Sequence, residues 1–304
     1  MKKLIHFSKF FPVAVVLSTV LILSGIVSLC VRGMNWGLEF KPGQNIQVSV
    51  NAQTDADEIS GLLSEKKVNA SVKSAGGENS YQIRTESGES VENAVKAALS
   101  EKYGSENVAV EQSQSISAQF SKSLIRDSIV LVLATLVLIF AYTLFRFKWD
   151  AALGSVIAVI HDALIMISFF SWSQLEFTTT SIAAILTIIG YSINATVVIL
   201  DRVRSDMKIV EAKSFKDILN SSLTSTLSRS VITTVTTLFA VLSLVVFTTG
   251  DIKNFAIALV VGLISGCYSS LFIAGAFISL VRKNWKPVAV LPKASLAADT
   301  EEKE

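Results

Sequence analysis

Six apolar runs decide what this chain can fold into: Pro12–Val31, Leu124–Leu144, Ala151–Phe170, Ser181–Leu200, Ser230–Thr249 and Phe255–Val281. An α-helix rises 1.5 Å per residue, so ~20 mostly apolar residues cross a hydrocarbon core of ~30 Å. In lipid every backbone N–H and C=O must be satisfied within the segment, so runs of this length read as membrane-spanning helices. The composition agrees, with 51% hydrophobic and 17% charged residues and a mean hydropathy of +0.53 over 304 residues. A net charge of +2 gives no electrostatic footprint for nucleic acid. Cys30 and Cys267 both lie inside apolar runs, too few for a disulfide framework and without metal-ligand spacing.

The first run follows Lys2, Lys3 and Lys9 but is longer than the usual 7–15-residue core of a signal peptide. It ends Ser28-Leu29-Cys30-Val31, without a small-x-small cleavage site, and is predicted to be an uncleaved anchor. Lys and Arg crowd alternate loops: Arg146 and Lys148, then Arg202, Arg204, Lys208, Lys213 and Lys216, then Arg282, Lys283 and Lys286. The other side has none in 171–178 and only Lys253 in the last short loop. By the positive-inside rule both termini are predicted to be cytoplasmic. The expected organisation is an N-terminus and first helix (1–31), an extracytoplasmic domain (32–121), a five-helix membrane domain (122–281) and a cytoplasmic tail (282–304).

The segment 32–121 is polar and too long for a loop. Ile46, Val48 and Val50 alternate as in a strand. Thr54 and Asp55 can cap a helix over Asp57–Lys67. Val68–Ser74 and Ser80–Thr85 read as strands around a Gly76-Gly77 turn. Ser90–Tyr103 is amphipathic and is stopped by Gly104, and Asn107–Glu111 reads as a last strand. The order βαββαβ predicts a small ferredoxin-like α/β domain. It holds no histidine or cysteine, and no catalytic constellation.

The membrane runs carry ionisable groups where lipid disfavours them. His161 and Asp162 lie in the middle of the third run, and Arg229 stands at the mouth of the fifth. A charge near the bilayer centre costs ~2.5–3.5 kcal/mol on insertion scales, so such groups usually face a polar interior or one another. Arg229 heads a stripe with Thr233, Thr236 and Thr237; it either lines an interior path or snorkels to the headgroups. In the fourth run Gly190, Asn194 and Asp201 share a helix face, where an amide at membrane depth needs a partner. Gly262-x-x-x-Gly266 is a helix-packing motif in the sixth run. Ser205–Thr226 is predicted to be a cytoplasmic interfacial helix joining the fourth and fifth spans. No HExxH, GxSxG, phosphate loop or CxxC is present, so no metal, cofactor or enzymatic activity is expected.

Several blocks in order carry a resemblance. They are Gly190-Tyr191-Ser192-Ile193-Asn194 leading into Asp201-Arg202-Val203-Arg204, and Leu223–Ser230 with the threonines after it. Trp149–Ala152 with His161-Asp162, and Gly262–Ala274 with Tyr268-Ser269-Ser270, complete the set. They resemble the SecF family, the smaller half of SecD–SecF protein-export complexes. The resemblance covers Leu124 to about Val281. It implies a polytopic α-helical fold of resistance-nodulation-division (RND) type in a bacterial inner membrane. It implies SecD and the SecYEG channel as partners, with YajC and SecA as further candidates beside the translocating polypeptide and membrane lipid. It also implies use of the proton motive force to promote late steps of export.

Two departures from the family pattern stand out. The family reads Asn-Asp-Thr where this chain reads Asn194-Ala195-Thr196, and that acid is the implied partner of the arginine at Arg229. Alanine cannot titrate, so either Asp162 or a SecD carboxylate carries protons, or coupling is altered. The family's Asp-Phe-x-Gly-Gly stretch stands here as Glu39-Phe40-Lys41-Pro42-Gly43. The resemblance thus points to a relay of Arg229, Asn194, Asp162, His161 and Thr233, with Ala195 in the acid's place. The competing functional reading is an RND-type exporter of small molecules or lipids. That reading predicts larger paired outside domains and a second six-span half. An intramembrane enzyme using His161, Asp162 and Asn194 lacks a nucleophile or metal set.

Overall fold

The computed structural model describes residues 4–75, 79–85, 89–209 and 214–285. Six long helices form the membrane part: α1 (Phe11–Arg32), α4 (Ala118–Arg146), α5 (Trp149–Ser173), α6 (Thr179–Ile209), α7 (Phe215–Phe247) and α8 (Gly250–Val281). All six are long and apolar enough to cross a membrane. Between α1 and α4 lies a small domain, with β1 (Gly43–Val50), α2 (Ala56–Glu65), β2 (Ala70–Ser74), β3 (Ser80–Thr85), α3 (Glu89–Tyr103) and β4 (Val108–Ile116).

The small domain follows its sequence pattern closely. Its sheet is antiparallel in the order β2-β3-β1-β4, the split βαβ arrangement expected. Alternation puts Ile46, Val48, Val50 and Ile83 on the helix-covered face, with Ile46 opposite Ile83 and Val48 opposite Tyr81. Asp55 caps α2 by accepting from the Glu58 N–H at 2.8 Å. Gly104, at φ +87°, ends α3 in the left-handed region that glycine tolerates. The last strand runs five residues past its expected end, to Ile116, because β1 offers it a full-length edge. The Gly76-Gly77 turn lies outside the described residues.

In the bundle, α8 is the central element and packs against α1, α5, α6 and α7, whereas α4 lies at the periphery, mainly against α5. The Gly262 and Gly266 face of α8 meets α6. A Cβ on Gly262 would stand 2.4 Å from Cγ1 of Ile188, and one on Gly266 would stand 3.2 Å from Cβ of Ser192. Gly25 lets α1 lie equally close to α5 at Ser168. Cys30 is exposed on α1.

One expectation is corrected. Ser205–Thr226 is not a separate interfacial helix: its first residues continue α6 to Ile209, and Phe215–Thr226 form the first turns of α7. Ser214 and Asp217 make a capping box that starts α7 there. Its apolar residues Phe215, Ile218, Leu219 and Leu223 are buried with Phe7, Phe11, Leu271 and Ile278, so they face protein. This basic end of the bundle also holds the ion pairs Arg146–Asp201 and Arg282–Asp150. At the opposite end the small domain is stitched on. Gly37 N–H donates to the Phe177 carbonyl at 2.8 Å, Trp36, Phe40, Phe170 and Phe177 cluster, and Lys73 pairs with Glu176 at 3.2 Å.

Candidate functional site

The candidate residues fall into two separate places. The first is a buried polar centre inside the bundle. Asp162 is 0% exposed, at mid-length of α5. Its Oδ1 accepts from the Ser265 hydroxyl at 2.6 Å, and its Oδ2 accepts from Ser192 at 2.6 Å and Ser269 at 2.7 Å. His161 Nδ1 lies 3.1 Å from Asp162 Oδ1. Ser265 and Ser269 are one helical turn apart on α8, so both reach the same carboxylate. Three helices thus supply hydrogen-bonding groups to one buried acid, as a buried polar side chain requires.

A chain of hydroxyls leads away from it. His161 Nε2 is 2.9 Å from the Ser18 hydroxyl on α1, which is 3.0 Å from Tyr268 Oη on α8. Tyr268 in turn donates to the Ala14 carbonyl at 2.7 Å. The Tyr268 proton goes to Ala14, so the Ser18 hydroxyl can donate either to His161 Nε2 or to Tyr268 Oη, according to which nitrogen of His161 carries a proton.

The second place is the groove between α6 and α7. A cavity of about 120 Å³ is lined by Tyr191, Asn194, Ala195, Val198, Arg229, Ser230 and Thr233. Arg229, Asn194, Ala195 and Thr233 therefore do come together. They do not meet His161 and Asp162, because Ser192 points inward from α6 while Asn194, two residues on, points outward. Arg229 makes no ion pair among the described residues, and Asp162 is not its counter-ion. The threonine stripe is hydrogen-bonded to its own helix: Thr233 to the Arg229 carbonyl, Thr236 to that of Ile232 and Thr237 to that of Thr233. Arg229, Thr233 and Thr236 are exposed on this chain, as are Ala183, Thr187, Gly190 and Asn194 along α6. Asp201 belongs to neither place and pairs with Arg146 at 2.9 Å.

Residues 95–284 match the family model described as protein export membrane protein SecD/SecF, C-terminal, and residues 27–54 match the SecD/SecF GG motif. The chain belongs to the SecD/SecF family. A protein translocase subunit SecF of Borreliella burgdorferi is 35% identical over 94% of this chain and all of that relative. One from Treponema pallidum is 49% identical over 64% of this chain, but that match spans only 46% of the relative. The crystal structure of SecDF from Thermus thermophilus superimposes with a TM-score of 0.82 at 26% identity, covering 93% of this chain and 39% of that one. The RND-type bundle with a ferredoxin-like insert is thus the SecDF fold. In the GG motif Pro42 stands before Gly43, and a Cβ on Gly43 would lie 2.6 Å from the Thr85 carbonyl oxygen, so the second glycine is the one packing demands.

Sequence reasoning missed Ser18, Ser265 and the role of Ser192. The available signal was the one-turn spacing of Ser265 and Ser269 beside the Gly262–Gly266 seam. It is weak, because serine in an apolar helix commonly bonds to its own backbone.

Proposed function

We propose that this chain is the SecF-type half of a protein-export machine, set in a bacterial inner membrane with both termini in the cytoplasm. It works with a SecD-type partner beside the SecYEG channel, acts on the translocating polypeptide, and uses the proton gradient without covalent chemistry. Family membership supports the export role. The single observation that carries the coupling proposal is the buried Asp162, with its three serine hydroxyls and the His161–Ser18–Tyr268 chain that leads away from it. Ionisable residues that pair inside a membrane bundle mark proton relays. Asp162 joins α5, α6 and α8, and His161 adds α1.

The exposed row on α6 and α7, with an arginine that has no counter-ion among the described residues, supports a SecD-type half covering that face and supplying a carboxylate to Arg229. YajC and SecA remain further candidates on the basis of family membership alone. The exporter alternative gains no specific observation.

The test is Asp162→Asn. The amide keeps the volume, and the serine hydroxyls can turn to accept from it, so the bundle should assemble and bind its partner. Export driven by the proton gradient should fall at least tenfold in vesicles, with export in the absence of a gradient unchanged. Full gradient-dependent export in this variant would remove Asp162 from the mechanism.

A further inference from the structure

A cavity separate from both polar places lies at the basic end of the bundle. Its volume is about 470 Å³, and the ends of α4, α5, α6 and α8 converge on it. Its wall is apolar, with Leu200, Val203, Met207 and Ile278 among the lining residues. Its rim is cationic, formed by Arg146, Lys148, Arg204, Lys208 and Arg282. Two of the five cations are neutralised, Arg146 by Asp201 at 2.9 Å and Arg282 by Asp150. Arg204 donates to the Arg146 carbonyl, which leaves its charge in place. The ammonium groups of Lys148 and Lys208 make no hydrogen bond or ion pair among the described residues. Among the described residues, five cations against two carboxylates leave three positive charges around one apolar cleft.

Position adds a second constraint. The rim stands at the ends of four helices that are long and apolar enough to cross a membrane, where lipid headgroups would lie. Phe145, 95% exposed, and Trp149, 59% exposed, stand beside it as aromatic anchors do at that level. An occupant must therefore join an anionic head to an apolar tail and be available within the bilayer. Free phosphate would leave the apolar wall bare, and an acidic peptide would leave its own backbone unpaired against it.

We infer that this cleft is a binding site for an anionic phospholipid, with its phosphodiester on Lys148, Arg204 and Lys208 and an acyl chain along Leu200, Val203 and Ile278. Basic pockets between transmembrane helices bind such headgroups by this combination of charge and apolar contact. The site goes beyond the export role and does not depend on the Asp162 reading.

The full chain is purified in detergent and offered phosphatidylglycerol or phosphatidylcholine of the same chain length, and bound lipid is read by native mass spectrometry. Wild type should retain phosphatidylglycerol at least tenfold more strongly than phosphatidylcholine. Lys148→Gln with Lys208→Gln should weaken phosphatidylglycerol about tenfold or more, at ~1 kcal/mol per basic residue, and leave phosphatidylcholine unchanged. Lys122→Gln with Arg126→Gln, near the start of α4, is the control and should change nothing. Val203→Trp keeps every charge but fills the cleft, and should also release the lipid. Equal retention of the two lipids by wild type would overturn the proposal, as would an unchanged double-glutamine variant. Retention by Val203→Trp, or displacement of the lipid by millimolar inorganic phosphate, would show a phosphate site on the rim and overturn the lipid assignment.

Discussion

Arg229 is a guanidinium that stays charged at any working pH, on a helix long and apolar enough to cross a membrane, with no carboxylate paired to it among the described residues. The cavity it lines also holds Ala195, where the family pattern has an acid. One elementary charge moved through the membrane potential is worth ~2.3 kcal/mol per 100 mV, and only a group that takes up and releases an ion can use it. Arg229→Ala is therefore expected to abolish export stimulation by the gradient, while insertion and partner binding persist. Ala195→Asp places a titratable acid in the same cavity and should raise that stimulation; gradient-dependent export rates in vesicles measure both. An unchanged rate in Ala195→Asp, with assembly intact, would show that the missing acid does not limit the machine. His161 and Asp162 were legible in the sequence because an ion in an apolar run is costly wherever it stands. Ser18 and Ser265 were not, because a serine's partner is decided by which helix arrives opposite it. The exposed threonines of α7 satisfy themselves, whereas Ser192 and Ser265 do not.

Among the elements, α8 carries the assembly. Gly262 and Gly266 bring it against α6 so closely that the same contact delivers Ser192 to Asp162. Overpacking at such a seam typically costs ~1–3 kcal/mol. Gly262→Ala, whose Cβ would meet Ile188 at 2.4 Å, should lower the thermal midpoint of the purified protein. Gly266→Ala, with 3.2 Å to Ser192, should cost less stability but still reduce gradient-driven export by moving a donor of Asp162. A thermal melt beside the export assay separates the two; equal loss of stability in both variants would count against this ranking. The short strands and helices of the small domain were readable from period-2 and period-3.6 patterns, since each buries one face. The stretch from Ser205 to Thr226 misled because its amphipathic pattern fits a membrane surface and a protein groove equally well. Phe7 and Phe11, more than two hundred residues away, are what cover it.

For the whole molecule the loop charges predict that the basic end faces the cytoplasm and the small domain lies outside. In a Cys30→Ser, Cys267→Ser background, Ser105→Cys should react with an impermeant maleimide in intact cells. Lys283→Cys should react only after the membrane is opened. The reverse pattern would invert the topology. Six spans, the insert and its ferredoxin-like order were determined by the sequence alone, because hydropathy over twenty residues and strand or helix periodicity are local properties that lipid and water read directly. The division of the polar residues into two places was decided only by tertiary structure. A helix presents every residue to some direction, and neighbours choose the direction: packing of α8 and α5 against α6 turned Ser192 toward Asp162 and left Asn194 facing out beside Arg229.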